Sequence, residues 1–241
     1  MDWSEEGVVL GARRQGENNV VLELLTRQHG RHLGLVRGGR GRRLRPVLQT
    51  GNIVEAVWRG RLAEHLGAFT VEALEMNAAR IMDDPARLSG LMTMASHARL
   101  LPEREPHHRL YDAFRIVLRQ MNENEIWPAL LVRWELGLLE ELGFGLDLQK
   151  CAATGASTGL IYVSPKSGKA VSAAAGEPYR SKLFSLPGFV TGRSTDEPDR
   201  RDIADGFRMT GYFLEKHLYG PRGIDMPDSR TALLSRLSAE A

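Results

Sequence analysis

The residues with the greatest capacity for chemistry in this chain are arginines. Nine of them stand between Arg27 and Arg61, at positions 27, 31, 37, 40, 42, 43, 45, 59 and 61, against one acid, Glu55. The stretch carries a local charge of +8 in a chain whose formal total is +2, so the remainder carries −6. A guanidinium stays charged at every ordinary pH. It is therefore a poor proton shuttle and a good anion ligand, with a planar fork of donors that fits phosphate. A face this uneven attracts a polyanion at long range and holds it by displacing condensed counterions. Coding bias explains the choice of Arg over Lys but not the clustering. A solvated loop is the plainer alternative.

Catalytic constellations are missing from the rest of the sequence. Cys151 has no C-x-x-C partner, and the adjacent His107-His108 cannot put both rings on one helical face, so no metal site is expected. Gly39-Arg40-Gly41 starts like a dinucleotide fingerprint, yet Leu44 takes the third glycine position and Pro46 and Gly51 interrupt any following helix. Gly168-Lys169 resembles a phosphate loop, but Ala170 stands where Ser or Thr is needed and Val163 where the first Gly is needed. The carboxylate pairs Asp83-Asp84, Glu123/Glu125 and Glu140-Glu141 read as solvated charge. No nucleophile elbow or Ser-His-Asp spacing is present. The expectation is a protein that is not an enzyme and uses no cofactor.

The arginines must be positioned by something, and from Glu6 to Glu75 the pattern is β. Five short apolar runs (GVVLGARR, NNVVLELLTR, HLGLVRG, NIVEAVWRGR, LGAFTVEAL) are separated by Gly, Asn and Arg-Gly turns. Gln28-His29-Gly30-Arg31 has the character of a tight hairpin connection. Five strands in this length suit an OB-type barrel, whose concave face commonly binds single-stranded nucleic acid; an SH3-like barrel suits them almost as well. Either places the Gly38–Arg43 loop between strands three and four as a mobile cationic lip. Trp58 and Phe69 could stack on bases or fill the barrel.

After Pro85 the period becomes helical. Asp83 or Asp84 can cap a helix running to Pro102, a second starts at Pro106, and IWPALLVRWELGLLEELGFG forms a third that ends at Gly143 and Gly145. The short connections imply an antiparallel bundle. From Gln149 the composition shifts again. Four of the five lysines (150, 166, 169, 182) fall by Lys182, and Leu160–Val163 and Lys169–Ser172 read as two strands around the Ser164–Gly168 turn. Lys166 and Lys169 join the candidate phosphate contacts. Helical character returns at DRRDIADGFRMTGYFLEKHL. The expected fold is α+β and multidomain: an OB-like five-stranded barrel over 1–78, a helical domain over 79–148, a small zinc-finger-like but metal-free hairpin lobe over 149–182, and C-terminal helices over 183–241 packing on the helical domain. A lone cysteine and an N-terminus without a basic-then-apolar leader predict a reducing, cytoplasmic setting.

That order of parts resembles the RecO family of bacterial recombination mediators. The stretches that carry the resemblance are EGVVLGARRQGENNVVLELLTRQHGRHLGLVRGG, WPALLVRWELGLLEELGFGLDLQKCAATG and YVSPKSGKAVS, spanning about Glu6 to Tyr179. The resemblance implies homologous-recombination DNA repair: binding of single- and double-stranded DNA, annealing of complementary strands, and loading of RecA together with RecR. It also implies association with the nucleoid when on DNA, and a site for the C-terminal tail of single-stranded DNA-binding protein, with Arg133 in the matching basic position. Some relatives hold a zinc ion with four cysteines in the lobe that here begins at Cys151; this chain keeps one. The DNA contacts expected are Arg31, Arg37, Arg40, Arg42, Arg43, Arg45, Arg59 and Arg61 on the barrel and Lys166 and Lys169 on the lobe. An RNA-binding barrel protein of translation or RNA processing is the competing reading.

Overall fold

The computed structural model describes residues 1–192 and 197–239; positions 193–196, 240 and 241 of the expected C-terminal segment lie outside the described residues. Two compact units make up the chain, Met1–Asn124 and Glu125–Ala241.

In the first unit the five expected strands are present: β1 (Asp2–Gln15), β2 (Asn19–Thr26), β3 (Gly30–Val36), β4 (Ile53–Arg59) and β5 (Ala68–Glu75). They close into a barrel in the order β1-β2-β3-β5-β4. The long first strand makes closure possible, because its N-terminal half pairs with β4 and its C-terminal half with β2, bending at a bulge between Val9 and Gly11. The seam is the parallel β3–β5 contact, Leu35 opposite Ala68, with the Leu35 amide donating to the Gly67 carbonyl at 3.1 Å. Gly30 takes φ of +61° at the β2–β3 hairpin, as its sequence context predicted.

Alternating residues of these strands fill the interior. Val9, Val20, Leu22, Leu24, Val36, Val54, Ala56 and Val71 form its wall, with Trp58 and Phe69 buried among them. Trp58 meets the need of its buried N–H by donating to the Leu66 carbonyl at 3.0 Å. Both aromatics therefore take the barrel-filling role.

Three helices complete the unit: α1 (Asn77–Ile81), α2 (Pro85–Ala98) and α3 (His108–Glu123). Asp84 caps α2 by accepting from the Ala86 and Arg87 amides, with Pro85 in the first turn. Ion pairs tie these helices to the barrel. Arg115 of α3 reaches Glu6 at 2.9 Å and Glu75 at 3.0 Å, and Arg27 pairs with Asp112 at 2.9 Å.

The second unit begins with α4 (Trp127–Glu141), the third helix expected from the sequence. The helices read as one run over 79–148 are thus shared, α1–α3 with the barrel and α4 with the C-terminal part. Periodicity shows that a helix has an apolar face but not which core the face joins. A three-stranded sheet follows, ordered β7-β6-β8, from β6 (Leu160–Val163), β7 (Ala170–Ser172) and β8 (Phe184–Ser185). The first two are the expected hairpin. The short α5 (Ala173–Gly176) and α6 (Gly188–Thr191) lead to α7 (Arg200–Leu214), which continues through a π-helical turn, Glu215–Tyr219, and α8 (Asp228–Ala239) ends the described chain. Helix α7 opens with a capping box between Asp199 and Asp202 and packs on α4.

Inside this unit is a buried ion pair. Glu135, wholly buried on α4, accepts from Arg230 Nε at 2.9 Å and Nη2 at 3.0 Å and also from the Thr210 hydroxyl, while Arg230 donates on to the Phe207 carbonyl at 2.8 Å. Burial acts to lower the Arg230 pKa, but the Glu135 charge and its hydrogen bonds outweigh that and raise it.

Candidate nucleic-acid interface

The arginine loop between β3 and β4 differs from the mobile lip expected. It is a folded cap. Leu44 and Leu48 contribute to the barrel core, and the backbone turns helically where the Leu44 and Arg45 amides donate to the Gly41 carbonyl and the Leu48 amide to Leu44. Its outer end is bonded to the β1–β2 hairpin: Asn19 accepts from the Gly38 amide at 3.1 Å, the Asn18 carbonyl from the Arg40 amide at 3.2 Å, and the Glu17 carbonyl from the Arg40 guanidinium. The sequence signal was present in Leu44-x-x-Val47-Leu48, one helical turn of apolar residues among the arginines.

The cations on this cap and at the neighbouring strand ends face outward. Arg37, Arg40, Arg42, Arg43, Arg45, Arg59 and Arg61 are all exposed, and none makes an ion pair among the described residues. Three converge from different elements. Arg37 at the end of β3, Arg43 on the cap and Arg59 at the end of β4 line one groove of about 470 Å³ whose floor is β5, from Ala68 to Val71. Unpaired guanidiniums in a groove cost folding energy unless a ligand brings the countercharge, and phosphate is the anion whose geometry they match bidentately.

Arg31 needs correction, because it does not stand with these. It donates to Glu23 at 2.7 Å and to the Leu101 carbonyl at 2.9 Å, lies 3.6 Å from Glu103, and its side chain is only 15% exposed. Glu23 also takes Arg99 at 2.7 Å, just past the end of α2. Arg31 faces outward from β3 as Arg37 does, but at the start of the strand, where the segment after α2 bridges to it at Glu103, so its charge is neutralised there.

The first unit offers exposed cations without an exposed aromatic ring. Among its described residues no Phe, Trp or Tyr is exposed. Trp3 is sandwiched between His29, stacked at 4.1 Å, and Trp58 at 6.1 Å. His32 lies beneath, edge-on to Trp58, and burial pushes its pKa down to about 4.

The other candidate residues are in the second unit. Lys166 and Lys169 are exposed on the turn between β6 and β7, with Lys169 Nζ 3.7 Å from Asp147. Arg133 is exposed on α4, between buried Val132 and Trp134. Cys151 is buried and bonded to Ser172, whose hydroxyl lies at 3.4 Å and whose amide donates to the sulfur at 3.3 Å. Hydrogen bonds with the Ser172 side chain, then Thr154, lower its thiol to about 6. No group of three His, Cys, Asp or Glu among the described residues could hold a metal ion. One thiol already committed to a serine does not make a zinc site, and the lobe is held instead by strand pairing and by the bridge between Asp147 and Lys169.

A closed five-stranded barrel with an unpaired arginine groove, followed by a helical unit bearing a small sheet, defines an α+β protein with a cationic barrel face. Comparison with known proteins narrows it. The family model described as "Recombination protein O N terminal" matches residues 1–77, and "Recombination protein O C terminal" matches residues 82–223. Similar relatives, each called "DNA repair protein RecO", include that of Methylobacterium nodulans, 54% identical over 245 residues and 100% of both chains. Those of Mesorhizobium japonicum (52% identical, 98% of this chain and 94% of the relative) and Brucella abortus strain 2308 (49%, 98% and 95%) are comparable. This chain belongs to the RecO family. No helix among the described residues is long and apolar enough to cross a membrane.

Proposed function

We propose that this chain is a DNA-binding mediator of recombinational repair. The observation that supports it best is the groove lined by Arg37, Arg43 and Arg59: three permanent cations, from three elements, turned to solvent with no carboxylate to neutralise them. Arg40, Arg42, Arg45 and Arg61 extend the same cationic rim, and Lys166 and Lys169 add phosphate contacts in the second unit. Backbone contacts carry no base information, so binding is independent of sequence. Complementary strands repel one another, and a surface that neutralises both lowers the barrier to their annealing without bond chemistry. No residue is asked to act as acid, base or nucleophile. Family membership and the outward position of Arg133 support the remaining assignments: Arg133 receives the acidic C-terminal tail of single-stranded DNA-binding protein, and the chain acts with RecR to load RecA.

The test is a salt titration of single-stranded DNA binding by the wild type and by the triple variant Arg37→Ala, Arg43→Ala, Arg59→Ala. Loss of three phosphate contacts should flatten the slope of log K against log salt by about two units and weaken every sequence alike. A slope equal to that of the wild type would remove the groove as the DNA contact.

A further inference from the structure

The barrel offers cations without a free aromatic face, whereas single-strand binding commonly joins the two. The exposed aromatic rings among the described residues are Phe144, Tyr179 and Tyr212, all in the second unit. Phe144 differs from the others in its support. His217 stacks on it with ring centroids 4.9 Å apart and planes 18° from parallel, and behind His217 lies buried Phe213, at 6.1 Å and 2°. The three rings form a column whose inner end is core and whose outer end, Phe144, is 40% exposed although one of its faces is covered. Tyr212, by contrast, already has Lys216 Nζ 5.6 Å from its ring centre.

The local structure explains why an apolar residue stands at position 144, but not why its ring is left partly exposed. Helix α4 ends with the Phe144 amide donating to the Leu139 carbonyl at 2.7 Å and the Gly143 amide to Glu140 at 3.0 Å, with Gly143 at φ of +86°. This is the Schellman arrangement, which favours an apolar residue after the glycine to pack back on the helix. Leucine would satisfy it. The ring instead extends the stack on His217, and the turn bearing Lys166 and Lys169 comes close to Phe213 at Gly168. The π-helical turn that carries His217 also carries Lys216, whose ammonium binds the Pro165 carbonyl at 2.8 Å and the Lys166 carbonyl at 3.5 Å. That bond fixes the turn bearing Lys166 and Lys169 next to the residue adjoining the column. The nearby carboxylate of Asp147 is offset by Lys169. Burial, then the Lys216 charge, lowers the His217 pKa, so the middle ring is a neutral stacking partner at neutral pH.

We propose that Phe144, backed by His217 and Phe213, is a base-stacking platform for single-stranded nucleic acid, with Lys166 and Lys169, on the turn that Lys216 anchors, for the phosphates. An unstacked base laid on Phe144 lengthens a column already assembled, so little ordering entropy is lost on binding. Duplex bases present no free face and are not recognised this way. The proposal deepens the DNA-binding reading above and rests on it.

Two comparisons test it on the full chain. The first sets a homopolymeric single strand against an abasic strand of equal length and charge, using the wild type, Phe144→Leu and Phe144→Trp. Leucine retains the apolar contact of the helix end and removes the ring. Phe144→Leu should bind the base-bearing strand about tenfold more weakly, bind the abasic strand like the wild type, and keep the salt slope, while Phe144→Trp keeps wild-type affinity. The second is photocrosslinking of a strand containing 5-iodouracil to the wild type, with the attachment expected at Phe144. Equal affinity of wild type and Phe144→Leu for the base-bearing strand, or crosslinks confined to the barrel, would overturn the platform. The arginine triple variant separates the two failures: if it flattens the salt slope while Phe144→Leu changes nothing, the groove stands and the platform falls. If the wild type binds no strand at all, both fall.

Discussion

On the barrel, the guanidinium of Arg43 stands in solvent beside those of Arg37 and Arg59; in the second unit, Arg230 lies buried with two nitrogens on Glu135 and a third bond to the backbone. One side-chain type serves two purposes, and the surroundings decide between them. A paired, buried arginine belongs to the fold, because its charge is balanced internally and unpairing it leaves a desolvated ion. An exposed arginine without a carboxylate, such as Arg43, adds no ion pair to the fold, so its charge remains available to an outside anion. Arg31 shows that position within the cluster is no guide, since it sits among the free cations in sequence and among the paired ones in space.

The strongest challenge to this contrast is Arg230→Ala. It strands Glu135 in an apolar setting and should cost roughly 3–5 kcal/mol in denaturant unfolding of the second unit. Replacing both partners with apolar residues of similar volume should recover most of the loss. If Arg230→Ala unfolds like the wild type, burial of the pair is not what distinguishes the two regions.

A smaller effect tests the inside of the barrel against its rim. His32 is held neutral among Trp3, Trp58 and Phe69, its pKa at about 4 against an ordinary 6.5. Below pH 6.5 the unfolded chain takes up a proton that the native chain refuses until about pH 4. The stability is therefore complete above 6.5 and falls as the pH drops, by about 3 kcal/mol once both states are protonated. His32→Phe should lack this component of the decline. Identical pH profiles would show that the imidazole titrates normally.

The finest comparison lies within the cluster. Arg31→Ala should cost about 1–2 kcal/mol of stability, by removing its bonds to Glu23 (which keeps Arg99) and to the Leu101 carbonyl, and leave the salt slope of DNA binding unchanged. Arg43→Ala should do the reverse, shifting stability by less than about 0.5 kcal/mol and lowering the slope by about 0.7. If the two variants behave alike in both measurements, pairing in the structure does not sort these arginines.

Much was legible in the chain alone. Five β runs, a hairpin turn at Gly30, the Asp84 cap, the α4 helix stopping at Gly143 and the β6–β7 hairpin all rest on local rules, in which neighbours a few residues apart set the backbone. The arginine cluster was visible for the same reason, since charge density is a property of sequence. What stayed hidden depends on partners far apart in the chain. Leu44 and Leu48 have a helical spacing in the sequence, but the barrel core that receives them is built by strands distant in the chain. Glu135 was one acid in an apolar helix stripe, and nothing local joined it to Arg230, 95 positions away.

By itself, then, the sequence determined the element types, their order and the cationic character of one region, because propensity, capping and charge act over short range. Only the tertiary structure decided which arginines are free, that Trp58 and Phe69 face the core, and that Phe144 ends a column built on Phe213. Those outcomes follow from side chains meeting across the fold, where burial and pairing set the energy of each group.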